Sequence, residues 1–182
     1  MAVELLGAPG SPYTRKMLAL LRYRGIDHRM IWGSHMQPPA GYPVPKVKLL
    51  PTFYLGEGDA REAVVDSTPI IRRLEAEHPG RSVLPEDELL GFLDLLIEDF
   101  ADEWMTKAMF HYRWSFEADV RKASAVLPRW GRPEAEEGLM LKMGDVFGQR
   151  QIERRSLVGI NAANSALIED SYKRTLAALD HA

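Results

Sequence analysis

Hydrophobic and polar positions follow two different patterns along the chain, and the change falls near residue 82. Before it, short apolar runs bounded by glycine and proline predict four strands, at Val3–Gly7, Asp27–Trp32, Thr52–Leu55 and Glu62–Asp66. Helical spacing of apolar residues predicts two helices, over Tyr13–Gly25 and Ser67–Glu77. The order is strand-helix-strand, which favours a parallel pair, followed by an antiparallel hairpin and a helix.

The rest of the chain has helical periodicity. Leu89–Phe116 contains no proline and carries its apolar residues roughly on one side, which predicts one long amphipathic helix. Glu134–Arg155 and Ser165–His181 show the same periodicity and are separated by a break at Gly159–Asn161. We therefore predict an α/β domain over residues 1–80 and an all-α domain over residues 86–182.

Composition narrows the range of functions. Hydrophobic residues make up 46% of the 182 positions and charged residues 27%, which is typical of a folded globular protein. The net charge of −3 provides no basic field for nucleic acid, and a membrane partner is equally unexpected. The chain has no cysteine, which excludes disulfides, thiolate nucleophiles and cysteine-based metal sites. No segment resembles a signal peptide or a membrane span of ~20 apolar residues, so we expect a cytoplasmic location.

Three short motifs lie at the ends of predicted elements in the first domain: Gly10–Lys16, Leu49–Phe53 and Asp66–Ile71. Together and in this order they resemble the cytosolic glutathione transferase family. The first is similar to the family's Ser-Pro-[Phe/Tyr]-x-x-[Arg/Lys] helix start, the second to its Val-Pro segment with a cis-proline, and the third to its Glu-Ser-x-x-Ile segment. The resemblance implies a thioredoxin-like domain before an all-α domain, with glutathione as substrate, a small hydrophobic electrophile as its partner, and a homodimer.

Ser11 is the residue that the resemblance implies for catalysis. It lies at the start of the first predicted helix, where the positive end of the helix dipole stabilises an anion such as a glutathione thiolate. Lowering a thiol pKa from ~8.5 by one or two units takes ~1.4–2.7 kcal/mol, which a hydroxyl hydrogen bond and a dipole can supply. The simpler interpretation is a plain helix cap. Tyr13, Thr14 or a backbone amide are the alternative partners for the sulfur.

Pro51 is the implied cis-proline of the second motif. With a cis bond at Pro51, the backbone N–H and C=O of Leu50 would pair with the cysteinyl part of glutathione as an added strand. The alternative is a trans proline in an edge strand. Pro45 competes for the cis role but lies far ahead of the strand that starts at Thr52.

Asp66 and Ser67 are the implied partners of the γ-glutamyl group. The amides at the helix start and the Ser67 hydroxyl would bind its carboxylate, and the Asp66 side chain would face its ammonium. A plain helix cap would also explain them. The family commonly has Glu where this chain has Asp66, so the ammonium contact has a shorter reach.

The cation for the glycyl carboxylate stays open between Lys46, Lys48 and His35 on the proline-rich segment before the third strand. Leu49 occupies the position where the family often has a lysine. Of the three candidates we take Lys48 as a glutathione-binding residue.

Acidic residues recur along the long predicted helix at Asp94, Glu98 and Asp102. Because no histidine shares their spacing, we expect a solvated or dimer-facing surface and no metal site. Arg72 and Arg73 on the preceding helix have the opposite charge, so a two-fold homodimer that brings the two elements together would use each attraction twice.

Four aromatic or histidine side chains on the same helix have two interpretations. Trp104, His111, Tyr112 and Trp114 either line an electrophile pocket or belong to the helical core. The final helix runs to the end of the sequence without a cap, so we expect either a trimmed piece of a longer protein or an atypical C-terminal domain.

The sequence leaves two other functions to weigh against a transferase. One is a non-catalytic binding or assembly module built on the same fold. The other is a redox enzyme like glutaredoxin or dehydroascorbate reductase, which the serine at position 11 rejects because that chemistry needs a cysteine there.

Overall fold

The computed structural model describes residues 2–132 and 134–181. These residues divide into two compact units. The first contains the chain up to Pro85 together with the segment that starts at Arg129, and the second contains Glu86–Pro128 and the residues from Ala135 onward. Within the described residues, no helix combines the length and the apolar character needed to cross a bilayer.

The first unit is a thioredoxin-like α/β fold, as the sequence predicted. Its elements in chain order are β1 (Val3–Gly7), α1 (Pro12–Arg24), β2 (His28–Trp32), β3 (Thr52–Leu55), β4 (Glu62–Val64) and α2 (Ser67–Glu77). The sheet order is β2-β1-β3-β4. Strand β2 is parallel to β1, whereas β3 is antiparallel to both β1 and β4.

One apolar core holds the sheet and both helices of this unit together. Its most buried side chains come from β1, β3, α1 and α2: Leu5, Phe53, Met17, Leu21, Ile70 and Leu74. The first turn of α1 approaches β1 so closely that a methyl group on Gly7 would lie 2.5 Å from Cγ2 of Thr14. Helix α1 ends at Gly25, whose φ of +69° favours glycine.

The second unit is all helical. Its helices are α3 (Glu88–Asp99), α4 (Met105–Trp114), α5 (Glu117–Val126), α6 (Glu137–Arg154) and α7 (Ser165–Asp180). The prediction of one regular helix over Leu89–Phe116 is wrong in detail, because a π-helical segment at Phe100–Trp104 joins α3 to α4. Helix α5 was not predicted, although its residues have good helical propensity.

Helices α5 and α6 cross at very short range. A methyl group on Gly144 would lie 2.6 Å from the carbonyl oxygen of Ser124, and one on Gly148 would lie 2.1 Å from the Ser124 Oγ. Trp114 of α4 packs against Phe147 of α6, with ring centroids 5.8 Å apart. Small residues therefore let the backbones of α5 and α6 meet beside an aromatic contact.

A buried histidine links α4 to α7. His111 is 2% exposed, its Nε2 lies 2.9 Å from Oε1 of Glu169, and its Nδ1 lies 3.0 Å from the Ser115 hydroxyl. The rings of Tyr112 and Tyr172 meet beside this link at 5.5 Å. A polar pair and an aromatic pair thus hold α7 to α4.

Helix α3 has no buried residue. Its apolar side chains are about half exposed or more, as at Leu89 (65%), Phe92 (57%) and Ile97 (57%). The apolar side of the predicted long helix is therefore buried only in α4, at Ala108, His111 and Trp114.

Candidate functional site

Four chain segments converge at one edge of the sheet. Strands β1, β2 and β4 run in the same direction and β3 runs against them, so the residues after β1, β2 and β4 lie beside those before β3. These residues are Ser11, Ser34, Asp66 and Leu50, and we call this line the site edge. The order of the strands places Ser34 at one end of it and Asp66 at the other.

Ser11 is the N-cap of α1, as the simpler interpretation of the sequence expected. Its Oγ accepts a hydrogen bond from the Thr14 amide at 3.2 Å. The same hydroxyl donates to the Leu50 carbonyl at 3.5 Å, a long and weak contact. The Ser11 Oγ therefore accepts one hydrogen bond as the helix cap. Its hydroxyl proton makes only a weak hydrogen bond at the site edge.

The two neighbouring candidates for the sulfur differ in access. Tyr13 is half-exposed in the first turn of α1. Thr14 is fully buried, and its hydroxyl accepts from the Ala8 amide at 3.4 Å. The Thr14 side chain therefore holds the β1–α1 loop and is not available to a bound thiol.

The Leu50–Pro51 peptide bond is cis, as predicted. Pro51 is buried, whereas Leu50 is half-buried. The Thr52 hydroxyl donates to the Leu49 carbonyl at 2.8 Å and fixes the chain on entry to β3. Within the described residues, no hydrogen bond uses the Leu50 amide, so its N–H can bind a ligand strand.

Asp66 has a φ of +82° and a ψ of +119°, which is unusual for a residue with a side chain. Such backbone strain persists where surrounding structure imposes it, and it is enriched at ligand sites. Its Oδ1 accepts from the Thr68 amide at 3.3 Å and caps α2. Ser67, which is 7% exposed, accepts at its Oγ from Lys16 Nζ at 3.1 Å.

Lys16 is the residue of this site that the sequence analysis did not assign. It lies one turn into α1, and its ammonium donates a hydrogen bond to the hydroxyl of Ser67, the first residue of α2. A cation, a hydroxyl and the start of a helix thus meet beside the Asp66 carboxylate. The signal was present in the motif, whose final [Arg/Lys] position is Lys16.

The proline-rich segment at residues 33–50 is anchored by Tyr42. Its hydroxyl donates to Oε2 of Glu4 at 3.1 Å and accepts from Arg29. Lys46, Lys48 and His35 are exposed on this segment. In the part of the chain that the structure describes, no hydrogen bond or ion pair joins any of the three to the site edge.

Two of the four aromatic or histidine side chains singled out on the long helical stretch lie in the core. His111 and Trp114 are core residues, being 2% and 3% exposed. Tyr112 is half-buried against Tyr172. Trp104 is 58% exposed, and the ammonium of Lys107 lies 3.7 Å from its ring centroid.

Residues 5–82 match the family of glutathione S-transferase N-terminal domains. A search of curated protein sequences found no match to the chain. Among solved structures, the chain is similar to a glutathione S-transferase from Methylobacterium radiotolerans in complex with glutathione sulfonate, at 22% identity and a TM-score of 0.51. That match covers 84% of this chain and 63% of the other, so the chain spans less than two thirds of that protein.

Two further solved structures are similar over most of the chain. One is a glutathione transferase family member from Pseudomonas fluorescens with bound glutathione, at 22% identity, a TM-score of 0.46, and coverage of 86% of this chain and 69% of that one. The other is a Tau class glutathione S-transferase from mango, at 16% identity, a TM-score of 0.48, and coverage of 91% and 84%.

Proposed function

We propose that the chain binds glutathione and activates its thiol for conjugation to a small apolar electrophile, starting from the membership of residues 5–82 in the glutathione S-transferase N-terminal domain family. The observation that carries the proposal is the contact between Ser11 and the Leu50 carbonyl, because it joins the start of α1 to the cis-proline turn. A cysteinyl backbone paired with Leu50 would bring its thiol to the Ser11 hydroxyl.

The γ-glutamyl end of glutathione carries an ammonium and a carboxylate on one carbon. The β4 end of the site edge has one group of each charge to match them, the carboxylate of Asp66 and the ammonium of Lys16. The carboxylate fits Lys16, the Ser67 hydroxyl and the start of α2. The ammonium fits the exposed carboxylate of Asp66. We therefore assign the γ-glutamyl group to Asp66, Ser67 and Lys16.

The thiolate would form at the positive end of the α1 dipole. The Thr14 amide already donates to the Ser11 Oγ, so we assign the donor to the sulfur to the Ser11 hydroxyl rather than to that amide. Its present acceptor, the Leu50 carbonyl at 3.5 Å, is easily exchanged for a charged one. No general base is needed, because the thiol loses its proton to water once the thiolate is stabilised. Tyr13 is the alternative donor at this place.

The role of Ser11 can be separated from its cap by two substitutions. Ser11→Asn keeps a good cap but removes the hydroxyl, whereas Ser11→Thr keeps both. We expect the ultraviolet thiolate absorbance of bound glutathione to titrate about 1–2 pH units higher in the Asn variant, with Thr close to the parent chain. Identical titrations in all three would assign the sulfur to Tyr13 or to a backbone amide. Binding without turnover of any model electrophile would favour the non-catalytic module.

We also propose a two-fold homodimer. The apolar residues of α3 are uncovered, and an isologous contact would bury them against a second copy. The charge attraction that the sequence suggested is weaker than expected, because Arg73 already pairs with Glu62 and Glu77 at 2.5 and 2.7 Å. The hydrogen bond that Arg73 donates to Glu62, more than the one it donates to Glu77, raises the pKa of Arg73.

The dimer is tested by light scattering at micromolar concentration. A charge placed in the apolar face, as in Phe92→Glu, should give a monomer, since an unpaired carboxylate is costly in an apolar contact. Arg73→Glu is the matched control and should leave the dimer intact. A monomeric parent chain would refute the dimer. Dissociation by Arg73→Glu but not by Phe92→Glu would show that charge attraction, rather than the apolar residues of α3, holds the two copies together.

A further inference from the structure

The segment Arg129–Arg132 packs with the first unit although it follows the long helical stretch in the chain. It contains a short 3-10 turn at Arg129–Gly131. A methyl group on Gly131 would lie 3.1 Å from Cβ of Ser34, closer than van der Waals contact. The segment therefore lies directly against the residues that follow β2.

Ser34 is the end of the site edge opposite to Asp66. Gly33, the residue before it, donates from its amide to the Gly7 carbonyl at 3.0 Å, which continues the pairing of β2 with β1. Because neighbouring strands are ~4.8 Å apart, the four strands of the site edge span about 14 Å. The segment Arg129–Arg132 therefore lies at the β2 end of the site edge.

The direction of a bound glutathione follows from the proposed function, on which this inference rests. With the γ-glutamyl group at Asp66 and the thiol at Ser11, the glycyl residue must continue toward β2. An extended tripeptide is ~10 Å long, which is about the distance from β4 to β1. The glycyl carboxylate would then lie about one strand spacing from β2, facing Ser34 and the segment Arg129–Arg132 across that gap.

We propose that the guanidinium groups of Arg129 and Arg132 bind the glycyl carboxylate of glutathione. Arginine presents a planar fork of N–H donors that matches a carboxylate and keeps its charge at all physiological pH values. The other candidates for this carboxylate are rivals to be tested: Lys46 and Lys48 are exposed just before Leu50, and His35 is exposed directly after Ser34. The segment thus makes glutathione binding depend on a second part of the chain.

The test compares two ligands in calorimetric titrations. Glutathione has the glycyl carboxylate, whereas γ-glutamylcysteine lacks the glycine and should not contact these arginines. We expect the parent chain to prefer glutathione, and Arg129→Gln with Arg132→Gln together to remove roughly 10- to 100-fold of affinity for glutathione while leaving the dipeptide unchanged. The single variants divide the effect between the two arginines. Arg121→Gln, an exposed residue of α5, is the charge-matched control.

Each outcome decides one of the two proposals. If the double variant keeps the full preference for glutathione, with the fold verified by circular dichroism, the assignment to this segment is wrong. Loss of the preference in Lys48→Gln or in His35→Gln would assign the glycyl carboxylate to the proline-rich segment instead. If the parent chain binds neither ligand, the proposed function fails rather than this inference.

Discussion

In the first unit the interior consists of large apolar side chains from the sheet and from both helices, and Leu5, Phe53 and Leu74 are completely buried. In the second unit the buried positions include His111 and Gln151, and α6 meets α5 through glycines. Helices α3 and α7 have no buried residue at all. The two units therefore differ in the kind of contact that holds them together.

The difference shows which unit can be stable by itself. Burial of apolar area contributes about 25 cal/mol per Å², so the first unit has the main source of stability within its own fold. The second unit buries fewer apolar side chains, among them Trp114 and Met140, leaves much of its apolar surface in water, and adds polar and close-packed backbone contacts. We expect it to gain more from a second copy, as the proposed dimer would supply.

The largest expected effect comes from the matched pair Phe53→Ala and Phe92→Ala. Phe53 is 0% exposed in the first unit, so its removal should lower the free energy of unfolding by about 3–5 kcal/mol. Phe92 lies on the uncovered α3, so its removal should change that free energy by only about 0.5 kcal/mol in a dilute monomer. Urea unfolding measures both.

This pair also sharpens the comparison. A cost of Phe92→Ala that rises with protein concentration would mean that a second copy covers the residue, as proposed. A cost near 3 kcal/mol in the dilute monomer would contradict the uncovered α3.

The same contrast explains how far the sequence could predict the structure. In the first unit, short apolar runs with glycine and proline between them predicted each β-strand and each α-helix but not the short 3-10 turns, because a small sheet with two helices on one core leaves few arrangements. The cis bond at Pro51 followed from a motif. In the second unit, periodicity indicated which side of a helix is apolar but could not say whether anything covers it.

The parts of the site that the sequence did not reveal depend on contacts between distant residues. Lys16 and Ser67 meet only because α1 and α2 lie side by side on the sheet. The approach of Gly131 to Ser34 spans almost a hundred residues and has no local signal. In contrast, Ser11, Leu50 and Asp66 were found because each lies at a chain turn with its own composition.

A smaller effect is expected where α6 crosses α5. Gly144→Ala places a methyl group 2.6 Å from a backbone oxygen of Ser124, so overpacking should destabilise the chain by about 1–3 kcal/mol. Gly138→Ala in the same helix meets only the flexible Glu136 side chain and should be neutral or stabilising by up to about 1 kcal/mol. Thermal unfolding checks both. Equal effects would mean that the α5–α6 contact is looser than described.

The smallest effect is expected at Arg73. Its ion pairs are partly exposed, so Arg73→Gln should cost less than about 1 kcal/mol and the difference should shrink at high salt. The neighbouring exposed Arg72→Gln is the control. Urea unfolding at low and high ionic strength measures the difference, and a loss of 2 kcal/mol or more would show that polar pairs also hold the first unit together.

The central claim is that the first unit binds glutathione at the site edge, and calorimetric titration of Ser67→Ala against the parent chain tests it most directly. The parent chain should bind at millimolar glutathione or below. Ser67→Ala should lose about 1–2 kcal/mol, as for a hydrogen bond to a charged group, and the control Ser156→Ala should lose nothing. No binding heat from the folded parent chain, or equal affinity in all three proteins, would contradict the account.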